Sequence, residues 1–227
     1  MKLLSTLGVI GVLDGAKSDC EAAAGGPITA AYDPTAIMLE RIGNGERADA
    51  AILTTEGIDK LTAAGILAPG SRVDLARSLV GLAVKAGAPK PDLSTVEGVK
   101  RALTSARVVY SKKGQSGIFF AGLIERLGIA DAVNARAVIV ESGTTAKLVV
   151  EGEADIAVQQ VSELMIVPGV DIAGALPAEI QDDLIFAGAV FAGAAKATEA
   201  TRFLKLLAEP RLAALYRQKG LEPLHVG

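Results

Sequence analysis

Along this chain short apolar runs alternate with segments in which apolar residues recur every third or fourth position, the signature of strand, turn and helix in repetition. Leu3 to Leu7 reads as a strand, and Gly8 to Ala24 as a helix with Asp14, Lys17, Asp19 and Glu21 on its polar side, ended by Gly25-Gly26-Pro27. Ile28 to Tyr32 is a second strand, after which Asp33-Pro34-Thr35 caps a helix running through Ile37, Met38, Leu39 and Ile42 to Gly43-Asn44-Gly45. Ala50 to Leu53 is a third strand, and Thr54-Thr55-Glu56 opens a helix through Ile58 and Leu61 to Gly65.

The same unit returns further on. Val73 to Val84 reads as a strand pair or crossover leading to the Gly87 to Pro91 linker, near which a new subdomain begins. Ser94 caps a helix to Leu103, Arg107 to Tyr110 is a strand, and a polar turn, Ser111 to Gly117, precedes a helix that ends at Gly128. Val138 to Val140 is a strand, and Glu141 to Thr145 opens a helix through Leu148 and Val149 that Gly152 ends. Ile156 to Val158 then leads into Gln159-Gln160-Val161-Ser162-Glu163. Beyond Pro168 and Pro177, Leu184 to Phe191 is a returning strand, followed by helices at Thr198 to Leu207 and Pro210 to Lys219. The pattern predicts an α/β protein of two lobes, one formed by residues 1–80 plus 184–227 and the other by 81–183. Each lobe is expected to be a mixed, mostly parallel sheet flanked by helices, with a cleft between the lobes. Ligands of open α/β sheets bind beyond the carboxyl ends of strands, so the turns of both lobes are expected to converge there.

Composition narrows the chemistry. Half of the 227 residues are hydrophobic but only 4% are aromatic, a balance suited to helices packed on buried strands. The formal net charge of −3, with Lys and Arg scattered among acids, gives no basic stripe for nucleic acid. Cys20 and His225 are the only residues of their kinds, which argues against an internal disulfide, a Cys- or His-rich metal site and a Ser-His-Asp triad. Cys20 between Asp19 and Glu21 reads as an inert helix thiol, and His225 as an exposed tail residue. No metal and no cofactor are expected. Met1 to Leu13 is interrupted by Asp14 and reads as a buried strand and helix rather than an export signal.

The Ser111-Lys112-Lys113-Gly114-Gln115-Ser116-Gly117 turn carries the most chemistry. A Gly-containing polar turn that opens a helix directly behind a strand aims backbone N–H groups, hydroxyls and the positive end of a helix dipole at one place, which suits an anion. The alternative use of the same residues is an ordinary turn and helix cap.

The order of turns resembles the type II periplasmic solute-binding proteins, and within them the molybdate-binding-protein-like branch. The resemblance rests on Ser5-Thr6, Asp33-Pro34-Thr35-Ala36, the run from Gly45 to Thr54, the Ser111 to Gly117 turn, Gly152-Glu153-Ala154-Asp155-Ile156-Ala157, Phe203 to Leu207 and Gly220-Leu221. It implies an oxyanion held by hydroxyls and backbone amides at Ser5 or Thr6, Thr35, Thr54, Ser116 and Gly117, and the Ser142 to Thr145 turn through Thr144; Ser111 and Gln160 are further ligand-binding candidates. Arg77, Gln159 and Glu163 are secondary candidates. It also implies a small anionic ligand, a monomer, an ABC-transporter membrane component as partner, and a periplasmic location, although the N-terminal reading leaves the cytoplasm open.

Two departures bear on the ligand. Gln160, beside Gln159, stands where molybdate receptors carry a Tyr, and Asp33-Pro34 replaces a small Ser-Gly turn, so an organic di- or tricarboxylate fits as well as molybdate. Arg77 suits a bidentate carboxylate contact, with a surface or interlobe salt bridge the slightly favoured alternative. Some relatives in this branch resemble aconitate isomerase, which shifts a double bond by proton abstraction and return. For that chemistry the candidate bases are Glu163, Lys112, Glu141 and Tyr110. A ligand-sensing module detached from a transcription regulator is a third reading, and the sequence offers it no DNA-binding segment.

Overall fold

The first residues enter a sheet at once. In the computed structural model, which describes residues 1–141, 143–182 and 184–226, strand β1 (Lys2–Ser5) pairs in parallel with β2 (Thr29–Tyr32) on one side and β3 (Ala50–Thr54) on the other. Every residue of β3 is buried, as expected of a strand covered on both faces. The predicted Gly8 to Ala24 helix is broken into a 3-10 turn at Leu7–Val9, α1 (Ile10–Gly15) and α2 (Lys17–Ala23). The break falls at Gly15-Ala16: Leu215 packs so closely that a Cβ on Gly15 would lie 2.7 Å from its Cδ1, and Ala16 leaves the helical region with φ −108°. Two more helices, α3 (Thr35–Gly43) and α4 (Thr55–Ala63), follow β2 and β3.

The Val73 to Val84 run divides at Leu79. Its first half is β4 (Val73–Ser78) and its second β5 (Val80–Lys85), and they belong to different sheets, so the run is the crossover between two units. Helix α5 (Val96–Ser105) is capped by Thr95, whose Oγ1 accepts from Gly98 N at 3.0 Å; the expected cap, Ser94, instead donates from Oγ to Asp92 at 2.7 Å. There follow β6 (Val108–Ser111), α6 (Gln115–Arg126), α7 (Ala130–Asn134), β7 (Val138–Val140), α8 (Ala146–Glu151), β8 (Ile156–Gln160), α9 (Val161–Leu164) and β9 (Val170–Ala175). The chain returns through β10 (Leu184–Val190), α10 (Ala197–Leu207), a 3-10 turn at Pro210–Leu212, α11 (Ala213–Gln218) and β11 (Leu221–Pro223).

Two compact units result, one of Met1–Ser78 with Leu184–Gly227 and one of Leu79–Asp183. The first has a six-stranded sheet in the order β11-β4-β10-β3-β1-β2, and the second a five-stranded sheet in the order β7-β6-β8-β5-β9. Both are mixed, but parallel pairs do not predominate as expected. The first sheet is antiparallel at β10–β3, β10–β4 and β11–β4, and the second at β5–β8 and β5–β9. The reversed strands are those next to the chain's passages between units and its end: β10 and β11 run against β3 and β4 in the first sheet, and β5 runs against β8 and β9 in the second.

Both faces of each sheet are covered. In β1, Leu3 joins Ile52, Phe186, Phe203 and Leu204 on one face, while Leu4 joins Met38, Leu53, Ile58 and Phe191 on the other, the period-two alternation of a pleated strand. In the second unit Val108, Leu82 and Phe120 fill one side, and Val109, Ala83, Val149 and Leu164 the other. Among the described residues no helix is long and apolar enough to cross a membrane.

Candidate functional site

In the first unit the parallel strands β1, β2 and β3 end together, because the register sets Ser5 against both Tyr32 and Ile52. That brings Ser5, Thr6, Thr35 and Thr54 to one end of the sheet. Thr6 N donates to Ile52 O at 2.8 Å, and Thr54 N donates to Thr35 Oγ1 at 3.4 Å, tying the start of α3 to the end of β3. Thr35 therefore serves a neighbouring strand rather than capping its own helix. Asp33, expected in that cap, is ion-paired with Arg41, which also holds Glu46 at 2.7 Å, and Pro34 is the residue that precedes the helix. Ser5 Oγ donates to Thr6 O at 3.1 Å, and Thr54 Oγ1 accepts from Gly57 N at 3.3 Å, a helix cap that leaves the Thr54 hydroxyl proton to be given elsewhere.

The second unit repeats this arrangement. Parallel β6 and β8 are in register at Val108–Ile156 and Val109–Ala157, so two residues further on Ser111 reaches the sheet end where β8 delivers Gln159 and Gln160. The Ser111 to Gly117 turn is wound tightly: Gly114 N donates to Ser111 Oγ at 3.1 Å, and a Cβ on Gly117 would lie 2.7 Å from the Ser111 carbonyl carbon. Only glycine fits there. Gly117 N is itself occupied by Gly114 O at 3.0 Å, so what Gly117 contributes is closeness rather than a donor. Ser116, in the first turn of α6, is buried, and its hydroxyl has no protein partner among the described residues. Lys112 and Lys113 are exposed and reach Glu141 at 3.8 and 3.1 Å.

Gln159 ties the neighbouring turn together. Its Oε1 accepts from both N and Oγ1 of Thr145 at 2.9 Å, and its Nε2 donates to Gly143 O at 3.4 Å and to Glu163 Oε2. Both ends of this amide are thus engaged by protein, and Gln159 acts as scaffold for the turn before α8. Thr145, wholly buried, is the hydroxyl of that network. Thr144 stands partly exposed beside it, and Ser142 lies outside the described residues. Gln160 projects to the opposite face of β8; it is 4% exposed and its Oε1 has no hydrogen-bond partner among the described residues. Ser162 Oγ is in the same condition at 5% exposure. An orphaned buried polar atom is costly, about 1–3 kcal/mol, and marks a place where a ligand or water completes the bonding.

The four candidate bases separate clearly. Tyr110 donates its hydroxyl proton to Asn134 Oδ1 at 2.8 Å, packs edge-on against Phe120, and has its pKa raised by burial, then by Glu125. Glu141 is exposed and held below the usual carboxylate range by Lys113. Lys112 is exposed. Glu163 is the one buried carboxyl among them, and loss of hydration, opposed only by the Gln159 hydrogen bond, pushes it up to about 7. Arg77 sits in β4, across from Ile185 on β10 and Glu222 on β11. Arg72 is paired with Asp59 at 2.7 Å and Asp74 at 2.6 Å.

In the second unit the sequence reading missed the burial of Ser162 and the role of Thr145, and in the first unit it missed Ser78. Ser78, at the crossover, is also buried with an unpartnered Oγ among the described residues. Nothing in local pattern distinguishes them from surface serines; their burial follows from strand register. Cys20 is buried, and desolvation first, then Asp19 and Glu21, raise its pKa to about 11. His225 is exposed, with Nε2 2.6 Å from Asp74 O. Among the described residues no three His, Cys, Asp or Glu side chains gather in a way that could hold a metal ion.

Residues 2–222 match the family model described as bacterial extracellular solute-binding protein. The chain is 30% identical over 230 residues to an aconitate isomerase from Pseudomonas sp, covering 99% of this chain and 88% of that protein. Its fold is similar to that of the Azotobacter vinelandii periplasmic molybdate-binding protein, with a TM-score of 0.80 at 19% identity and 97% and 98% of the two chains covered. A sulfate-binding protein from Mycobacterium tuberculosis gives a TM-score of 0.75 at 17% identity, with 99% and 86% covered. With the order of strands and turns, these likenesses establish that the chain has the type II periplasmic-binding-protein fold and belongs to the bacterial extracellular solute-binding protein family.

Proposed function

We propose that this protein is a receptor whose two units close on a small anion, an organic di- or tricarboxylate or a tetrahedral oxyanion, and deliver it to an ABC-transporter membrane component. The observation that carries the reading is the gathering of hydroxyls and amides at the carboxyl ends of the parallel strands in each unit. Ser5, Thr6, Thr35 and Thr54 stand at one such end, and Ser111, Ser116 and Gln160 at the other. Hydroxyls and the free N–H groups of a first helical turn stabilise a bound anion by charge-assisted hydrogen bonds without requiring a counter-charge. A thermal-shift screen of molybdate, tungstate, sulfate, phosphate and di- and tricarboxylates tests this. A ligand present at a hundred times its Kd stabilises by about 2.7 kcal/mol, a readily measured rise in Tm. Failure of every anion to raise Tm refutes the receptor reading.

A second reading is favoured by a specific pairing of facts. The relative from Pseudomonas sp is an aconitate isomerase, and Glu163 is a buried carboxyl whose pKa, at about 7, suits proton abstraction and return near neutrality. In this reading the Glu163 carboxylate removes a proton from the substrate carbon next to the double bond, the electron pair shifts, and the same proton returns at the far carbon. Incubation with trans-aconitate tests it: cis-aconitate formed above the protein-free rate supports an isomerase, and none excludes it.

A further inference from the structure

The short segment Gln159 to Glu163 concentrates more buried polarity than the rest of the second unit. Gln159, Gln160, Ser162 and Glu163 are all at most 8% exposed, and two of them carry polar atoms without a protein partner among the described residues. Glu163 is the one ionisable member. It contacts this cluster through Gln159, and through Gln159 the Thr145 turn.

The charged residues of the elements packed around α9 lie elsewhere. On β5 the charged residue is Lys85, which pairs with Val170 at the end of the strand remote from Val80, the partner of Gln160. On β9 it is Asp171, opposite Val84 near that same remote end and accepting from Gly87 N at 3.0 Å. Strand β8 has none; Asp155, just before it, is paired with Arg107 at 2.9 Å. Lys147 on α8 is exposed, and Glu141, before the Thr145 turn, is taken by Lys113. Among the described residues of its unit no cation therefore neutralises Glu163, and its charge state answers to burial and to whatever occupies the adjoining donors.

We propose that Glu163 makes anion capture proton-linked: when an anion is held by the donors at the ends of β6 and β8, the Glu163 carboxyl takes up a proton from solvent. This rests on the anion-receptor reading and adds a specific thermodynamic coupling to it. A second negative charge beside a desolvated carboxylate raises the carboxyl's proton affinity further, and by linkage a proton on Glu163 strengthens the anion's binding equally. Protonated, the carboxyl also becomes an O–H donor. The direction follows. Affinity is highest while Glu163 is protonated in the free protein and falls as pH rises through its free value of about 7, by up to tenfold per pH unit until the bound state also ionises.

Calorimetric titration with sulfate and with trans-aconitate, between pH 7 and 9 where neither ligand changes its charge, is the test. Each titration is run in two buffers of different ionisation enthalpy, for the wild type and for Glu163→Gln. The expected result is net proton uptake on binding by the wild type, affinity falling several-fold per pH unit, and both effects absent from Glu163→Gln, which binds with the wild type's low-pH affinity. Binding without proton uptake, or a pH slope that Glu163→Gln keeps, overturns the proposal while leaving the receptor reading intact. If Glu163→Gln does not fold, the wild-type buffer comparison decides alone. No heat of binding from either ligand, together with no rise in Tm from any anion in the screen above, removes both.

Discussion

Replacing Gly117 by alanine places a methyl group where the Ser111 to Gly117 turn has no room. The added Cβ would lie 2.7 Å from the Ser111 carbonyl carbon, 3.0 Å from its Oγ, and closer still to the carbonyl oxygen. Two of these atoms are backbone, so no rotamer change relieves the overlap, and either β6 or the first turn of α6 must move. Overpacking a well-packed site costs about 1–3 kcal/mol, and a backbone collision belongs at the upper end. For a chain of this size about 3 kcal/mol lowers Tm by about 6–12 °C. Gly122→Ala is the control: it lies in the same helix, its Cβ would meet only Arg126 Nη1 at 3.7 Å, and an interior helix alanine stabilises by about 0.5–1 kcal/mol relative to glycine. Thermal unfolding followed by circular dichroism, with anion affinity measured alongside, gives both readouts. The account requires a large loss of Tm and of anion binding for Gly117→Ala, and neither for Gly122→Ala. A Gly117→Ala protein within about 2 °C of wild type, with unchanged affinity, would refute the claim that the tight turn builds the site.

Other perturbations follow from the same structure. Phe203→Ala removes a fully buried ring from the first unit and should cost about 3–5 kcal/mol in denaturant unfolding. Thr145→Val keeps the shape but deletes the hydroxyl donor to Gln159 Oε1; it should destabilise by about 1–3 kcal/mol and weaken anion binding. The Glu163 pKa is raised in the folded state, from 4.5 to about 7. Its contribution to stability is therefore full below the unfolded value and is lost as pH rises to about 7, a decline of about 3 kcal/mol that unfolding curves of wild type should show and those of Glu163→Gln should lack.

The alternation of apolar runs and helical periods placed β1, β2, β3, β6 and β10 within a residue or two, because each is short, apolar and bounded by Gly, Pro or a hydroxyl residue. Strand β9 was not legible: all six of its residues are only partly buried, and Asp171 and Gly174 interrupt its pattern. Helix α7 is a single turn or little more, too short to show a period. The candidate donors were legible in outline, since hydroxyls placed immediately after strands are visible in any sequence. What each hydroxyl does was not. Thr35 serves Thr54 N rather than its own helix, and Gln159 spends its amide on Thr145 and Glu163. Those choices depend on strands far apart in sequence arriving in register. The burial of Glu163 is likewise a product of α9 packing among β5, β8 and β9, which no local pattern encodes.

The central claim is that the α6 turn holds an anion, and Ser116 tests it most directly because its buried hydroxyl has no protein partner to lose among the described residues. Calorimetric titration of wild type and Ser116→Ala with the anion that most raises Tm is the decisive measurement. The account predicts one anion bound per wild-type chain, with affinity reduced about tenfold or more in Ser116→Ala, the loss of one charge-assisted hydrogen bond, while Tm without ligand is unchanged. Equal affinities for the two proteins, or no binding by the wild type, would contradict it.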